Sequence, residues 1–407
     1  MKRRTFLKTA LAAGAGLAVS TGPWFLRHGL AESPIKYGVL IPLTGGLAEL
    51  AADQKVATEI AIEEINASGG ILGRSVELVL RDTEFNAAVA RRKAIEALER
   101  DKINYFTGAC SGFEEMTFAD LAKKRGILYF NLPQFMLDNK KNFWKYSFGL
   151  NLTPFQTAAA GAKWAANHVK GDRWHLLADN YSWPKMWVPA YEHWAKVAHK
   201  NFTGVTWAPF PTNDYSTYIP QVRAKNPDVL FTVTWGSGQI NLIKQMHEFG
   251  MAKQTKVLFG VSDIPWAMAA GAGSFEGMYA GMPWYWKLED KYAASKEFNK
   301  KFFAKTKRMA AAYGQTAYET PKLLAEVTNE VKSMDPAKLR KALEGRKVQY
   351  LKSPTVIRPC DHAAVQECYF MKGKSKTDMS NRFDFFTVEQ SVGGDDLLES
   401  CALKGLG

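Results

Sequence analysis

Long apolar runs are missing from most of this 407-residue sequence. After residue 31, no stretch approaches the roughly 20 consecutive apolar residues that a membrane-spanning helix needs. We therefore expect this part of the protein to be soluble.

Cysteine is scarce, and its spacing matches no zinc motif. The four cysteines are Cys110, Cys360, Cys368 and Cys401. Asp361 and His362 follow Cys360, but no second cluster of ligands accompanies them, so no metal site is predicted. Four cysteines allow three disulfide pairings in an oxidising compartment, and the spacing alone leaves these pairings open.

Sequence signatures of catalysis are also missing. There is no Gly-x-Ser-x-Gly elbow and no P-loop, and no Gly-x-Gly-x-x-Gly follows the first predicted strand. Cys110 has no histidine near it in sequence. Trp235-Gly-Ser-Gly238 begins with an aromatic residue and lacks the Lys-Ser/Thr of a phosphate-binding loop. The sequence predicts neither an enzyme nor a bound cofactor.

The net positive charge is moderate outside the first 31 residues. The net charge is +13, and the first 31 residues carry five basic residues and no acid, which leaves +8 for the remainder. The bases are interspersed with acids, as in Arg91-Arg92-Lys93 followed by Glu96 and Glu99. This pattern is typical of solvated helix faces, so we do not predict a nucleic-acid partner.

Residues 1–31 have the three parts of an export signal. Arg3 and Arg4 form a charged twin-arginine start, a mild apolar run spans 9–20, and a small-x-small site lies at 29–31. A membrane anchor is the alternative, but the run is too short for one. We predict cleavage after Ala31, export by the twin-arginine route, and a mature protein in the periplasm.

The remainder alternates predicted strands and helices with short glycine-marked turns. The first group has strands at 35–41, 76–82, 103–107 and 126–131 and helices at 51–66, 87–100 and 113–125. After Asn151 the pattern restarts, with strands at 174–178, 228–234 and 256–260 and helices at 154–169, 185–200, 215–224 and 239–249. A mainly helical tract covers 287–344. This alternation predicts an α/β fold of two Rossmann-like lobes, each with a parallel sheet.

Ligands of parallel sheets bind at the carboxyl ends of the strands, and this rule selects the candidate site. The candidates are Ser111, Asn131, Gln134, Tyr181, Trp183, Trp235 and Asp263. Ser111 opens a helix, where it could hold an anion such as a carboxylate or act as an ordinary N-cap. The two amides could orient a polar group, the aromatic residues could form flat apolar walls, and Asp263 could pair with an ammonium or cap the next turn.

Several segments resemble one family of transport proteins. Tyr37-Gly-Val-Leu-Ile-Pro-Leu-Thr-Gly45, Ile65-Asn-Ala-Ser-Gly-Gly-Ile71 and Asp214-Tyr-Ser-Thr-Tyr-Ile-Pro220 are similar to segments of the branched-chain-amino-acid-type solute-binding proteins of ABC importers. The resemblance covers nearly the whole mature chain. It implies a type I periplasmic binding fold, a cleft between lobes joined by three crossings, and a monomer that delivers a small-molecule ligand to a membrane permease. We expect one lobe to comprise 35–150 plus 284–358 and the other 151–283 plus 359–407.

The resemblance also implies roles for individual residues. Ser111 matches the family's carboxylate-holding serine, Tyr181 its second-lobe tyrosine and Asp263 its acidic residue for the ligand's ammonium. The loop 131–135 is bulkier than the family's and lacks hydroxyls, which argues against an α-amino acid. We expect a carboxylate or amide with an apolar or aromatic body; the alternatives are a branched-chain amino acid, or a role as a ligand-sensing receptor subunit.

The cysteines differ from the family's pattern at one position, and two others are expected to form a disulfide. The family often bridges a cysteine at the position of Cys110 to one in the preceding region, but residues 82–86 contain none. Cys110 is therefore free or paired elsewhere. We expect a bridge between Cys360 and Cys401 that closes the C-terminal tail.

Overall fold

A computed structural model describes residues 33–45, 47–136 and 145–406. The predicted export signal and its cleavage site lie outside these residues. Within them, no helix combines the length and the apolar character needed to cross a membrane. The same residues contain no cluster of histidine, cysteine, aspartate and glutamate that could hold a metal ion.

One sheet of the described chain has five parallel strands in the order β2-β1-β3-β4-β5. These are β1 (Ile35–Ile41), β2 (Val76–Asp82), β3 (Tyr105–Gly108), β4 (Tyr129–Asn131) and β5 (Ser147–Gly149). The helices between the first four are α1 (Ala48–Ala67), α2 (Ala87–Glu96) and α3 (Gly112–Arg125), and a π-helical turn at Ala97–Asp101 extends α2. Six of the seven residues of β1 are buried, as expected for a parallel strand covered on both faces. The predicted strands at 35–41 and 76–82 are confirmed.

A second sheet within the described residues has seven strands in the order β15-β14-β10-β9-β8-β6-β7. Its strands are β6 (Arg173–Asp179), β7 (Asn201–Ala208), β8 (Val229–Val233), β9 (Lys256–Phe259), β10 (Tyr279–Met282), β14 (Cys368–Gly373) and β15 (Phe386–Val392). Its helices are α4 (Pro154–His168), α5 (Ser182–Lys185), α6 (Val188–Val197), α7 (Tyr218–Ala224), α8 (Gly236–Glu248) and α9 (Ile264–Ala270). Strands β6 to β10 are parallel, whereas β14 and β15 are antiparallel to their neighbours. The predicted parallel sheet is confirmed for β6 to β10, whereas the alternation pattern does not predict β7, β10 or the antiparallel β14–β15 pair.

The tract at 287–344 is mainly helical, as predicted. It contains α10 (Ala293–Thr306), α11 (Ala312–Val331) and α12 (Pro336–Leu343). Helix α11 packs along α1. A small antiparallel sheet follows, made of β11 (Lys347–Val348), β12 (Thr355–Ile357) and β13 (Ala364–Val365).

Residues near β13 lie beside the five-stranded sheet. The ring of His362 stacks on Phe148 of β5 with centroids 3.9 Å apart. The His362 carbonyl also accepts a hydrogen bond from the Gly149 backbone amide. The exact residues at which the lobes begin and end stay a prediction.

Three connections, which we call the crossings, join the second large sheet to the rest of the described chain: 150–153 follows β5, 283–285 follows β10 and 366–367 precedes β14. A buried ammonium ties these crossings together. Lys352 Nζ donates to the Pro283 carbonyl oxygen over 3.0 Å and also to Gln366 Oε1. Gln366 Nε2 in turn donates to the Leu150 carbonyl over 2.9 Å. One lysine–glutamine pair therefore contacts all three crossings, and burial lowers the pKa of Lys352 to about 8.

The C-terminal tail is covalently fixed. Cys360 and Cys401 form a disulfide, which confirms the expected bridge, while Cys110 and Cys368 are free thiols. Next to the bridge, the buried carboxylate of Asp361 pairs with Arg358 and with Lys404 at 2.8 Å. The last turns of the chain are thus held against the residues that precede β13.

Candidate functional site

A cavity of about 400 Å³ lies at the carboxyl ends of strands from both large sheets. We call the lining residues that follow β2, β3 and β4, together with one residue of α11, the first wall. They are Phe85, Cys110, Ser111, Gly112, Phe113, Pro133, Gln134, Met136 and Tyr313. The lining residues that follow β6, β7 and β8 form the second wall: Tyr181, Ser182, Trp183, Met186, Phe210 and Trp235. No lysine, arginine, aspartate or glutamate of the described chain belongs to either wall.

The backbone of the first wall adopts unusual conformations where it meets the cavity. Gly108 ends β3 with φ +145°, and a Cβ there would lie 2.1 Å from the Leu40 carbonyl oxygen, so only glycine fits. Ala109 follows with φ +72°, and Phe85 has φ +50°. Left-handed conformations at non-glycine residues cost on the order of 1–3 kcal/mol each and are concentrated at functional sites. The surrounding fold therefore holds these two loops in place against local strain.

Ser111 lies at the cavity, and its hydroxyl is used within the protein. It caps α3, accepting from the Glu114 amide over 3.4 Å, and it donates to Glu114 Oε2 over 3.0 Å. The same oxygen accepts from the Cys110 backbone amide over 2.8 Å, and Thr83 Oγ1 donates to the other oxygen. The Glu114 side chain is fully buried, and burial raises its pKa. Ser111 is therefore the N-cap that one alternative describes; it also lines the cavity, and its role toward an anion stays a prediction.

Gln134 connects the two walls. Its Oε1 accepts from the Trp183 indole N–H over 2.8 Å, and its Nε2 donates to Thr157 Oγ1 over 3.0 Å. Asn131 does not line the cavity. Its amide is fully buried and donates to the Gln134 carbonyl over 2.8 Å, and Tyr129 donates to it. Asn131 therefore shapes the loop that presents Gln134 and does not itself face the cavity.

The second wall is a group of contacting aromatic rings. Tyr181 and Phe210 have centroids 4.4 Å apart, and Trp183 meets Trp235 edge-on at 5.7 Å. Trp235 also contacts Tyr313 of the first wall at 6.1 Å. Three predicted aromatic residues, Tyr181, Trp183 and Trp235, are thus brought together at one surface of the cavity.

Asp263 is brought close to the site but is shielded from it. Its side chain is 1% exposed; Oδ1 accepts from the Ile264 amide over 2.7 Å and Oδ2 from the Ala312 amide over 2.5 Å. Burial raises the pKa of Asp263 to about 7, although both backbone bonds lower it. Asp263 caps α9, which confirms one of its two predicted alternatives. Its bond to the Ala312 amide fixes the residue that precedes Tyr313.

Four lining aromatic residues were not among the predicted site residues: Phe85, Phe113, Phe210 and Tyr313. Phe85 follows β2, so the strand-end rule could have selected it. Phe210 follows β7, a strand that the pattern did not predict. Tyr313 belongs to a helix far along the chain, and no local signal marks it as a cavity residue.

Cys110 is not arranged as a nucleophile. Its thiol donates to Gln54 Oε1 over 3.3 Å, and burial and the Glu114 charge raise its pKa well above the usual range. Reactive cysteines instead have a lowered pKa and a basic neighbour. Among the described residues, the hydrogen bonds of His168, His175 and His362 go to groups other than Cys110 and Ser111.

Comparisons with known proteins agree on one family. A family model described as periplasmic binding protein matches residues 34–378. The Leu/Ile/Val-binding protein homolog 4 of Brucella abortus (strain 2308) is 23% identical over 433 residues, which covers 99% of each chain.

Two solved structures share the fold. An amino acid ABC transporter substrate-binding protein from Pseudomonas fluorescens Pf-5 has a TM-score of 0.84 at 20% identity and covers 92% of this chain and 99% of its own. An ABC transporter solute-binding protein from R. palustris in complex with 4-hydroxybenzoate has a TM-score of 0.78 at 18% identity and covers 88% of this chain and 97% of its own.

Proposed function

Because the chain belongs to the periplasmic binding protein family, we propose that it captures a small organic solute between its two walls as the substrate-binding component of an ABC importer. The observation that carries this proposal is the cavity of about 400 Å³ between two sheets, lined by seven aromatic residues and no charged side chain of the described chain. An apolar cavity with a few placed polar groups is typical of small-molecule sites.

The ligand has an aromatic or apolar body and one polar group, a carboxylate or an amide. The aromatic rings of the second wall supply flat surfaces for the body. Ser111, Gln134 and Trp183 line the cavity and would contact the ligand's polar group. The R. palustris neighbour that was solved with 4-hydroxybenzoate supports an aromatic body. An α-amino acid is less well supported, because the shielded Asp263 offers its ammonium no acceptor.

The remaining parts of the proposal concern location and cycle. The protein is exported by the twin-arginine route, acts in the periplasm as a monomer, and has no catalytic step. Closure of the lobes about the crossings retains the solute until a membrane permease receives it. The buried Lys352–Gln366 pair, which contacts all three crossings, lies where such a movement would hinge.

Thermal unfolding with a panel of solutes tests the proposal. The panel holds branched-chain amino acids, aromatic acids, short fatty acids and the matching amides. A ligand at about 100 times its dissociation constant adds about 2.7 kcal/mol to stability, which a melting curve detects readily. We expect a shift with aromatic solutes that disappears in Trp235→Ala. No shift from any organic solute would count against the proposal, and a shift with leucine alone would favour the amino-acid alternative.

A further inference from the structure

We infer that the cavity prefers an uncharged polar group of the amide type over a carboxylate or an ammonium group on the same aromatic body. This inference rests on the proposed function and names the class of ligand for that site. It follows from how the polar atoms around the cavity are already used.

A carboxylate would meet the Glu114 side chain, whose described hydrogen-bond partners all donate to its oxygens, as they would to a carboxylate. Glu114 lies directly behind Ser111, and its partners are two hydroxyls and a backbone amide, none of which carries a positive charge. The donors that a ligand's carboxylate would need at Ser111 and Cys110 are therefore occupied. Like charges at short range in a poorly solvated site repel strongly, and no basic side chain of the described walls offsets this repulsion.

An ammonium group would lack a charged acceptor. Asp263 is buried with both oxygens bonded to backbone amides. Asp179 is also buried, its Oδ1 accepts from the Tyr215 hydroxyl over 2.7 Å, and it does not line the cavity. Aromatic faces attract cations, so the rings alone give an ammonium some stabilisation. That attraction is weaker than the hydration an ammonium loses on entering a cavity whose described lining holds no carboxylate.

The polar atoms left over suit a group that both donates and accepts. The hydroxyls of Tyr181 and Tyr313 have no hydrogen-bond partner within the described residues, and each can donate and accept. The two phenols line the same cavity, one on each wall. Gln134 retains one N–H and one lone pair beyond its bonds to Trp183 and Thr157. A primary amide matches this mixture, whereas a carboxylate only accepts and an ammonium only donates.

Calorimetric titration of the mature protein with three probes of equal size tests the inference. The probes are benzamide, benzoate and benzylammonium at pH 7.5. We expect benzamide to bind at least 10-fold more tightly than either ion. Equal or tighter binding of benzoate or of benzylammonium overturns the inference, as does failure of all three to bind. In the last case, the wider solute panel still decides the proposed function independently.

A single variant isolates the cause. Glu114→Gln removes the charge and keeps a side chain that can complete the helix cap. We expect benzoate affinity to rise about 10-fold while benzamide affinity changes less than 2-fold. Asp120→Asn is the matched control, because it removes one negative charge from the exposed face of the same helix, where Asp120 pairs with Lys124. If both variants change benzoate binding equally, Glu114 does not set the preference. If Glu114→Gln does not fold, the three probes on the unaltered protein still give the answer.

Discussion

The two walls of the cavity differ in how their polar atoms are used. On the first wall, Ser111 and Gln134 are bonded to other groups of the protein, and the neighbouring Asn131 holds the loop from behind. On the second wall, aromatic rings face the cavity, and the Tyr181 hydroxyl is not engaged by any described residue. The difference teaches that polar residues at strand ends can build a site without touching its ligand. Variants should therefore separate into those that change stability and those that change affinity.

The disulfide between Cys360 and Cys401 lies outside both walls and gives the largest expected effect on stability. It closes a loop with a sequence separation of 41, and the loop-entropy relation assigns such a bridge about 4 kcal/mol. Cys401→Ser should lower the free energy of unfolding by this order in urea titrations. Affinity for the best solute of the panel should stay within 2-fold. A large loss of affinity would show that the tail contributes to the walls.

Trp183→Ala should produce the largest loss of affinity, because Trp183 joins the walls. The variant loses ring contacts with Trp187 and Trp235 and the indole hydrogen bond to Gln134. Truncating a tryptophan that anchors a binding site costs about 2 kcal/mol or more of binding free energy, so we expect at least about 30-fold weaker binding by calorimetry. Trp183→Phe is the control, since it keeps a ring and loses only the N–H. If both variants lose equal affinity, the hydrogen bond and not the ring is decisive.

Asp263 provides a pH test of a contact that links the second sheet to α11. Burial raises its pKa to about 7, so the folded protein keeps a proton that the unfolded chain, with an ordinary aspartate, releases near pH 4. Stability from this group is therefore full below about pH 4 and is lost as the pH rises toward 7. Asp263→Asn should show a shallower fall in the free energy of unfolding between pH 5 and pH 7.5. If the variant's free energy of unfolding falls with pH as steeply as that of the unaltered protein, Asp263 is not the source of the fall.

The smallest effects compare one hydroxyl from each wall. Ser111→Ala should lower the free energy of unfolding by about 1 kcal/mol, the usual cost of a lost N-cap, with less than 3-fold loss of affinity. Tyr181→Phe should leave stability almost unchanged and weaken binding about 5- to 10-fold, the worth of one hydrogen bond of about 1 kcal/mol. The reverse result would mean that the first wall, and not the second, holds the ligand's polar group.

Local patterns were sufficient for most of the first sheet and for the position of the site. Strand β1 was predicted to the residue because it is mostly apolar, and β2 because Val76, Leu78, Val79 and Leu80 give it an apolar pattern despite three charged residues. Strand β7 was missed because Asn201, Thr203, Gly204 and Thr206 interrupt its apolar residues and leave little apolar pattern. The β14–β15 pair was missed because its neighbour β10 is almost ninety residues earlier in the chain.

The same distinction separates the site residues. Ser111, Gln134, Tyr181, Trp183 and Trp235 follow strands directly, so topology alone brings them to the cavity. The role of Asp263 depends on a bond to Ala312, and that of Ser111 on a carboxylate three residues later in the helix. The bond to Ala312 is tertiary and leaves no trace in spacing or composition, whereas Ser-x-x-Glu at 111–114 has the spacing of a capping box. Such bonds decide which atoms remain available to a ligand.

Lys352 and Gln366 also have an evolutionary consequence. Their bonds join three stretches that are far apart in sequence, so a change at one position leaves a buried polar atom without its partner at the other. A buried polar atom without a hydrogen-bond partner lowers stability by about 1–3 kcal/mol, and a buried unpaired charge lowers it by more. Natural relatives should therefore exchange both positions together, for instance as a pair of apolar residues, and single exchanges should be rare. The joint variation of these two positions would then mark the three crossings in the sequences of those relatives.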